Sequence, residues 1–185
     1  MARANAFFAF ASIVLLAGCA TARQPAPAAP TSSDDAARAH ATLQSASGSD
    51  VAGTLSFVNT GEGVRITGRI TGLEPDSTHG FHIHENGDCG APDASSAGGH
   101  FNPTHQPHGH AGQAASHAGD LPNQQANADG VATVDVLAHG VELGTGGSTD
   151  ILGGAVIVHA QPDDYSSQPS GNAGARIACG VITRD

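Results

Sequence analysis

Lysine and tryptophan are absent from this 185-residue chain, and tyrosine occurs once. All seven basic residues are arginines, set against a formal net charge of −10. A nucleic-acid-binding surface needs a basic patch, so that class of function is disfavoured. An acidic surface also repels anionic membranes, so membrane attachment has to be covalent or hydrophobic rather than electrostatic. Of the six phenylalanines, three fall within Phe7-Phe8-Ala9-Phe10, so a folded core has to rest on Val, Ile, Leu and Ala. No apolar run is long enough to span a bilayer, and no sustained helical periodicity appears after the N-terminal segment. What is plentiful is Gly, 25 residues, with ten Pro. Many turns joined by short strands fit an all-β domain better than a helical one.

The N-terminus reads as an export signal, residues 1–18. Arg3 supplies a positive start and Phe7 to Leu16 an apolar run too short to cross a membrane. The run ends in Leu16-Ala17-Gly18-Cys19, which resembles the lipobox of bacterial lipoproteins, where the cysteine becomes the acylated first residue. Acyl chains on Cys19 would anchor the protein to a membrane. Residues 19–39 are rich in Pro, Ala and Ser without a period and read as a partly extended tether. The folded domain is placed at residues 40–185.

Within that domain, strands are expected at 40–47, 51–59, 64–70, 80–85, 131–137, 151–159 and 175–182. In Val64 to Ile70 the apolar Val64, Ile66 and Ile70 share one face, and Arg65, Thr67 and Arg69 the other. Thr60-Gly61-Glu62-Gly63 marks a hairpin before it. Seven or eight strands at even spacing predict an antiparallel β-sandwich or flattened barrel.

Most of the eleven histidines crowd into Gly80 to Asp120, a stretch too long and too poor in periodicity to be mere connection. His82 and His84, two apart on a strand, point to one face roughly 7 Å apart, while Ile83 points into the core. His100, His108, His117 and Asp120 offer three nitrogens and a carboxylate, a donor set that suits tetrahedral zinc. His159 closes an apolar strand. Six histidines and one aspartate exceed what one four-coordinate ion needs. Two ions sharing an imidazole through its two nitrogens fit better. A site rich in imidazole also suits copper, which changes oxidation state as zinc does not.

Several separate stretches resemble the copper/zinc superoxide dismutase family. They are Gly80-Phe81-His82-Ile83-His84-Glu85, Gly87-Asp88-Cys89, Ala97-Gly98-Gly99-His100-Phe101-Asn102-Pro103, His117-Ala118-Gly119-Asp120-Leu121, and Gly171 through Ile182. Their order and spacing match over about residues 40–185. The resemblance implies an eight-stranded Greek-key barrel or sandwich; the family is itself a known example of that architecture. It implies copper bound by His82, His84, His100 and His159, and zinc by His100, His108, His117 and Asp120, with His100 as the bridge. Asp163 matches a carboxylate linking His82 to His108, and Arg176 an arginine that guides the anion to copper. Cys89 and Cys179 match the family's intrachain disulfide; acylation of Cys19 would account for the third cysteine.

The activity so implied is dismutation of superoxide to O₂ and H₂O₂, with one copper and one zinc per subunit and no nucleic-acid partner. His100 would carry a proton during turnover. A zinc hydrolase would need an open zinc position and a nearby general base, and neither is visible. Family members often carry lysines around the copper channel; here Tyr165 to Gly171 contains no base, so weak steering of the anion is expected. His79 is assigned a structural hydrogen-bonding role. His105 and His110 read as exposed loop histidines. A sandwich edge or face offers a surface for a homodimer, and the expected location is a periplasm or cell surface, where a disulfide forms.

Overall fold

The computed structural model describes Met1 and residues 37–185. The signal read at residues 1–18, Cys19 and the tether up to residue 36 lie outside the described residues. The first strand begins at Arg38, just inside the stretch read as tether.

Ten strands follow in order: β1 (Arg38–Ser45), β2 (Ala52–Thr60), β3 (Gly63–Thr71), β4 (Thr78–His79), β5 (Phe81–His84), β6 (Gln124–Gln125), β7 (Ala132–Ala138), β8 (Ala155–His159), β9 (Arg176–Val181) and β10 (Thr183–Arg184). The main sheet runs β5-β8-β9-β1-β2-β3-β7, with β10 also paired to β1, and every pairing is antiparallel. β4 and β6 form a separate ribbon. The sheet curls around one apolar core to which β1, β2, β3, β5, β7, β8 and β9 all contribute. Among the described residues the only helical element is one 3-10 turn, Ser95–Ala97.

The period-2 patterns account for the register. In β3, Val64, Ile66 and Ile70 are buried and Arg65 and Arg69 exposed. The fourth inward position is Gly68, where a Cβ would collide with the carbonyl of Thr54. Thr60 pairs with Gly63, so Gly61-Glu62 make a two-residue hairpin turn. β1 stops at Ser45 because Ser47 and Gly48 both adopt positive φ, 52° and 73°. Ile151 to Gly154, expected to open a strand, instead form a turn closed by Gly154 N–H to the Ile151 carbonyl, with Gly153 at φ 85°. Ile151 is a core residue delivered by a loop, and Leu152 packs against the core from its margin.

β5 and β8 set up the site. Phe81 and Ile83 of β5, with Val156 and Val158 of β8, face the main core. Each such side chain contributes about 1.5–3 kcal/mol by burial. The alternate residues His82, His84, Ala155, Ile157 and His159 are buried on the opposite face. There Ala155 and Ile157 pack beneath Ala94, Ala97 and Cys179. The long loop therefore lies as a lid across the outer face of the sheet, and the histidines are caught between.

Candidate metal centre

Strand pairing places the first three histidines. His82 and His84 sit on β5, and β8 pairs with it in register. The loop from residue 97 to 120 runs back along the free edge of β5. Phe101 N–H donates to the Ile83 carbonyl, Glu85 N–H to that of Gly99 and Ile83 N–H to that of Gly119. Single bridges pair His84 with His100 and His82 with Asp120. The loop thus borrows the regularity of a strand to aim its donors.

Two donor sets result. His82, His84, His100 and His159 bring ligand atoms within 4.8 Å of one another, and His100, His108, His117 and Asp120 do the same. His100 belongs to both, and all seven residues are buried. His105 and His110 belong to neither; His110 stacks on Tyr165 at 4.5 Å.

In the first set the acceptor partners fix the tautomers. His84 donates Nδ1–H to the Gly98 carbonyl at 3.0 Å and His159 donates Nδ1–H to that of Gly174 at 3.2 Å. His82 donates Nε2–H to Asp163 Oδ2 at 2.8 Å. The remaining nitrogens, His82 Nδ1, His84 Nε2, His100 Nε2 and His159 Nε2, are buried with no hydrogen-bond partner. Four lone pairs stranded together would be costly, yet they are what a cation with a taste for imidazole requires.

The second set poses the same problem with a carboxylate. Asp120 Oδ1 lies 2.8 Å from His100 Nδ1, 3.0 Å from His108 Nδ1 and 3.2 Å from His117 Nδ1. His108 donates Nε2–H to Asp163 Oδ1 at 2.9 Å, which leaves Nδ1 as the nitrogen facing Asp120. His100 Nδ1 and His117 Nδ1 are 3.3 Å apart. Three imidazole nitrogens and one oxygen at such separations fit a small tetrahedral cation in their midst. The second Asp120 oxygen is held by His117 N–H at 2.8 Å and Gly109 N–H at 3.1 Å.

The electrostatics follow from this burial. Desolvation pushes His84 down to about 2, helped by the neighbouring His100. It pushes His159 down to about 3 and His100 down to about 4, the latter against the pull of Asp120. Neutral rings are therefore the resting form, as ligation demands. Asp120 and Asp163 both lie below the usual carboxylate range: burial opposes this, but hydrogen bonds from His100 and His117 to Asp120, and from His82 and Tyr165 N–H to Asp163, outweigh it.

Arg176 completes the site. It donates to the carbonyls of Ala94 and Gly98, each at 2.7 Å. The β8–β9 ladder slips between Val158 and His159: Val158 pairs with Ala178 but His159 with Arg176, and Ile177 is the extra residue of a bulge. A cavity of about 440 Å³ opens over the first set, lined by His84, His100, His159 and Arg176 together with Asn102 and Ser170. The Cys89–Cys179 disulfide ties the start of the 89–98 loop to β9, close to Arg176. His79, buried, bridges Ser77 Oγ and the carbonyl of His159.

Sequence reasoning missed two carboxamides. Asn123 clamps the backbone of Asp163 from both sides, Nδ2–H to its carbonyl and Oδ1 to its N–H, each at 2.9 Å. Gln168 grips the backbone of His108 likewise. Neither has a spacing signature, because the contact depends on loop path alone.

Two imidazole-rich donor sets fused through one ring, on an antiparallel β-barrel sheet, define a dinuclear metalloprotein. The family model for copper/zinc superoxide dismutase matches residues 51–182. The chain is 43% identical over 148 residues to superoxide dismutase [Cu-Zn] 2 of Aquifex aeolicus, covering 78% of this chain and 86% of that protein. It is 43% identical over 149 residues to superoxide dismutase [Cu-Zn] of Caulobacter vibrioides, covering 78% and 84%. The crystal structure of a superoxide dismutase-like protein from Bacillus subtilis superposes with a TM-score of 0.69 at 42% identity, covering 76% of this chain and 95% of that one. The chain belongs to the copper/zinc superoxide dismutase family.

Proposed function

We propose that the protein dismutates superoxide: two superoxide anions and two protons give O₂ and H₂O₂. His82, His84, His100 and His159 would hold copper, and His100, His108, His117 and Asp120 would hold zinc. When bound, copper supplies one-electron exchange with superoxide, and zinc keeps the shared ring in place.

The chain's own residues do the rest. Arg176 presents a permanent positive charge at the cavity it lines, its guanidinium held in place by two carbonyls. His100 Nε2 is the atom assigned to take up and return a proton, since it faces the first donor set without a hydrogen-bond partner while Nδ1 faces the zinc set beside Asp120. Asp163 holds His82 and His108 in fixed tautomers and raises their basicity as ligands. Burial of the rings excludes water from all but the cavity face. The feature that carries this proposal is His100, which turns one nitrogen into each donor set.

The test compares dismutation by metal-free, zinc-only and copper-plus-zinc protein, with elemental analysis of each. Activity is expected only with both sets of donors filled and copper present. Equal activity in the zinc-only protein would overturn the proposal.

Residues 1–18 are proposed to direct export, and Cys19 to carry the lipid that holds domain 40–185 at a membrane through the 19–39 tether. Leu16-Ala17-Gly18-Cys19 and the disulfide support this location. Mass spectrometry of the membrane fraction should find an acylated N-terminal Cys19. Unchanged fractionation of Cys19→Ala would refute it.

A further inference from the structure

We propose that Gln168 is a positioning residue that couples zinc occupancy of the His100, His108, His117 and Asp120 set to the wall of the substrate cavity. This inference rests on the zinc assignment made above.

The segment after Asp163 is organised by Asp164, whose carboxylate accepts from Ser166 N–H and Ser167 N–H and from Asn172 Nδ2–H. It leads to Gln168, whose side chain turns back toward the metal centre. Gln168 Oε1 accepts His108 N–H at 2.9 Å, and Gln168 Nε2–H donates to the His108 carbonyl at 2.9 Å. A side-chain amide is here paired with a backbone amide in both directions, as neighbouring strands pair. The carboxamides of Asn and Gln set a donor nitrogen and an acceptor oxygen side by side in one plane, which is the arrangement that pairing with a backbone N–H and C=O requires. His108 is in turn pinned through its ring, Nδ1 toward Asp120 and Nε2 to Asp163.

The residues directly after Gln168 are Pro169 and Ser170, which line the cavity beside His84, His100 and Arg176. One covalent step therefore separates a grip on a zinc-set histidine from the wall past which the anion travels. An ion that draws His108 Nδ1 toward Asp120 fixes the His108 backbone, and Gln168 passes that order to the wall. Coupling of this kind is reciprocal: whatever Gln168 contributes to zinc affinity, zinc returns as order in the segment. Asp163 gives the two loops a direct charged contact, but it fixes ring orientation; Gln168 fixes the path of the main chain.

The test uses the full-length protein with zinc as the probe. Zinc affinity is measured by chelator competition in the wild type, Gln168→Ala and Gln168→Glu. Hydrogen exchange of the Ser170 to Ala173 amides is followed with and without zinc. The wild type should gain protection in that segment on binding zinc. Gln168→Ala should bind zinc about tenfold more weakly, the lower end of the range for outer-shell partners, and lose the zinc-dependent protection. Gln168→Glu keeps the size and the acceptor but sets an oxygen against the His108 carbonyl, so it should be no better than alanine. A purely structural staple would lower thermal stability equally with and without zinc and leave affinity untouched. Wild-type affinity in both variants overturns the coupling while leaving the zinc site standing. If either variant fails to fold, the wild-type exchange decides, and unchanged protection on adding zinc overturns the coupling. Failure of the wild type to bind zinc at all overturns the underlying assignment instead.

Discussion

Gly171 lies at φ 65° against the Asp163 carboxylate, and Gly171→Ala tests the frame of the metal site with one added methyl group. An ideal Cβ there would overlap Asp163 Oδ1 and lie 2.6 Å from Asp163 Cγ and 2.7 Å from His108 Nε2. Two costs follow. The left-handed backbone costs an alanine roughly 1 kcal/mol relative to glycine. The larger cost comes from displacing the carboxylate from His82 and His108, where each buried charge-assisted hydrogen bond contributes about 1.5–3 kcal/mol. Complete loss of both contacts would bring the total to about 4–7 kcal/mol, a large part of the 5–15 kcal/mol that typically holds a domain together. Metal affinity should fall by about 10–100-fold, as for other ligand-orienting partners. Gly140→Ala is the matched control: Gly140 has φ 71°, and nothing lies within 4 Å of the Cβ built there. It should pay only the backbone term, a shift in Tm of about 2–4 °C. The assays are thermal and urea unfolding of the metal-free proteins, then zinc titration against a chelator. If Gly171→Ala matches Gly140→Ala in both stability and zinc affinity, Asp163 is not wedged between the two rings as described.

Acid should destabilise the metal-free protein well before its carboxylates titrate. His84, His159 and His100 have folded values of about 2, 3 and 4, against roughly 6.5 in an unfolded chain. Between those limits the unfolded chain binds more protons, so stability is full above about pH 6.5 and is lost as pH falls toward 4 and below. A Tm independent of pH from 7 to 4 would refute this. Steering should be weak, because among the described residues Arg176 is the only Lys or Arg lining the cavity. We expect kcat/KM to drop less than about threefold between 0.01 and 0.1 M salt, as the screening length shortens from ~30 to ~10 Å, and Arg176→Gln to lower it about tenfold. A steep salt dependence would count against the first expectation, and an unchanged rate against the second. Reducing Cys89–Cys179, which spans 90 residues, should lower stability by about 4–5 kcal/mol on the chain-entropy account. An unfolding midpoint unaffected by reductant would contradict that figure.

Much of the fold was legible because its strands obey the simplest rule available. Val64, Ile66 and Ile70 alternate with Arg65, Thr67 and Arg69, and a half-buried strand leaves little choice of face. Ile151 to Gly154 misled because apolar content marks burial, and burial is served equally well by a turn. His82 and His84 announced themselves by spacing, since a strand's pleat converts a gap of two into a shared face. Spacing favours His108 over His105 and His110 but supplies no physical reason for the choice. What separates them is loop path: His108 is turned inward between Asp120 and Asp163, whereas His105 adopts φ 53° in an exposed turn. Asn123 and Gln168 were illegible for a related reason. Their hydrogen bonds span 40 and 60 residues of chain, and no local pattern encodes such contacts.

The slip at Ile177 has a consequence for anyone who would rebuild this hairpin. A perfectly regular ladder carrying the same residues would set Ile177 opposite His159 and rotate Arg176 toward the apolar interior. Straightening the strand would keep every amino acid, improve the pairing, and strip the cavity of its cation. A designer grafting these two strands onto another scaffold must therefore copy the flaw along with the letters.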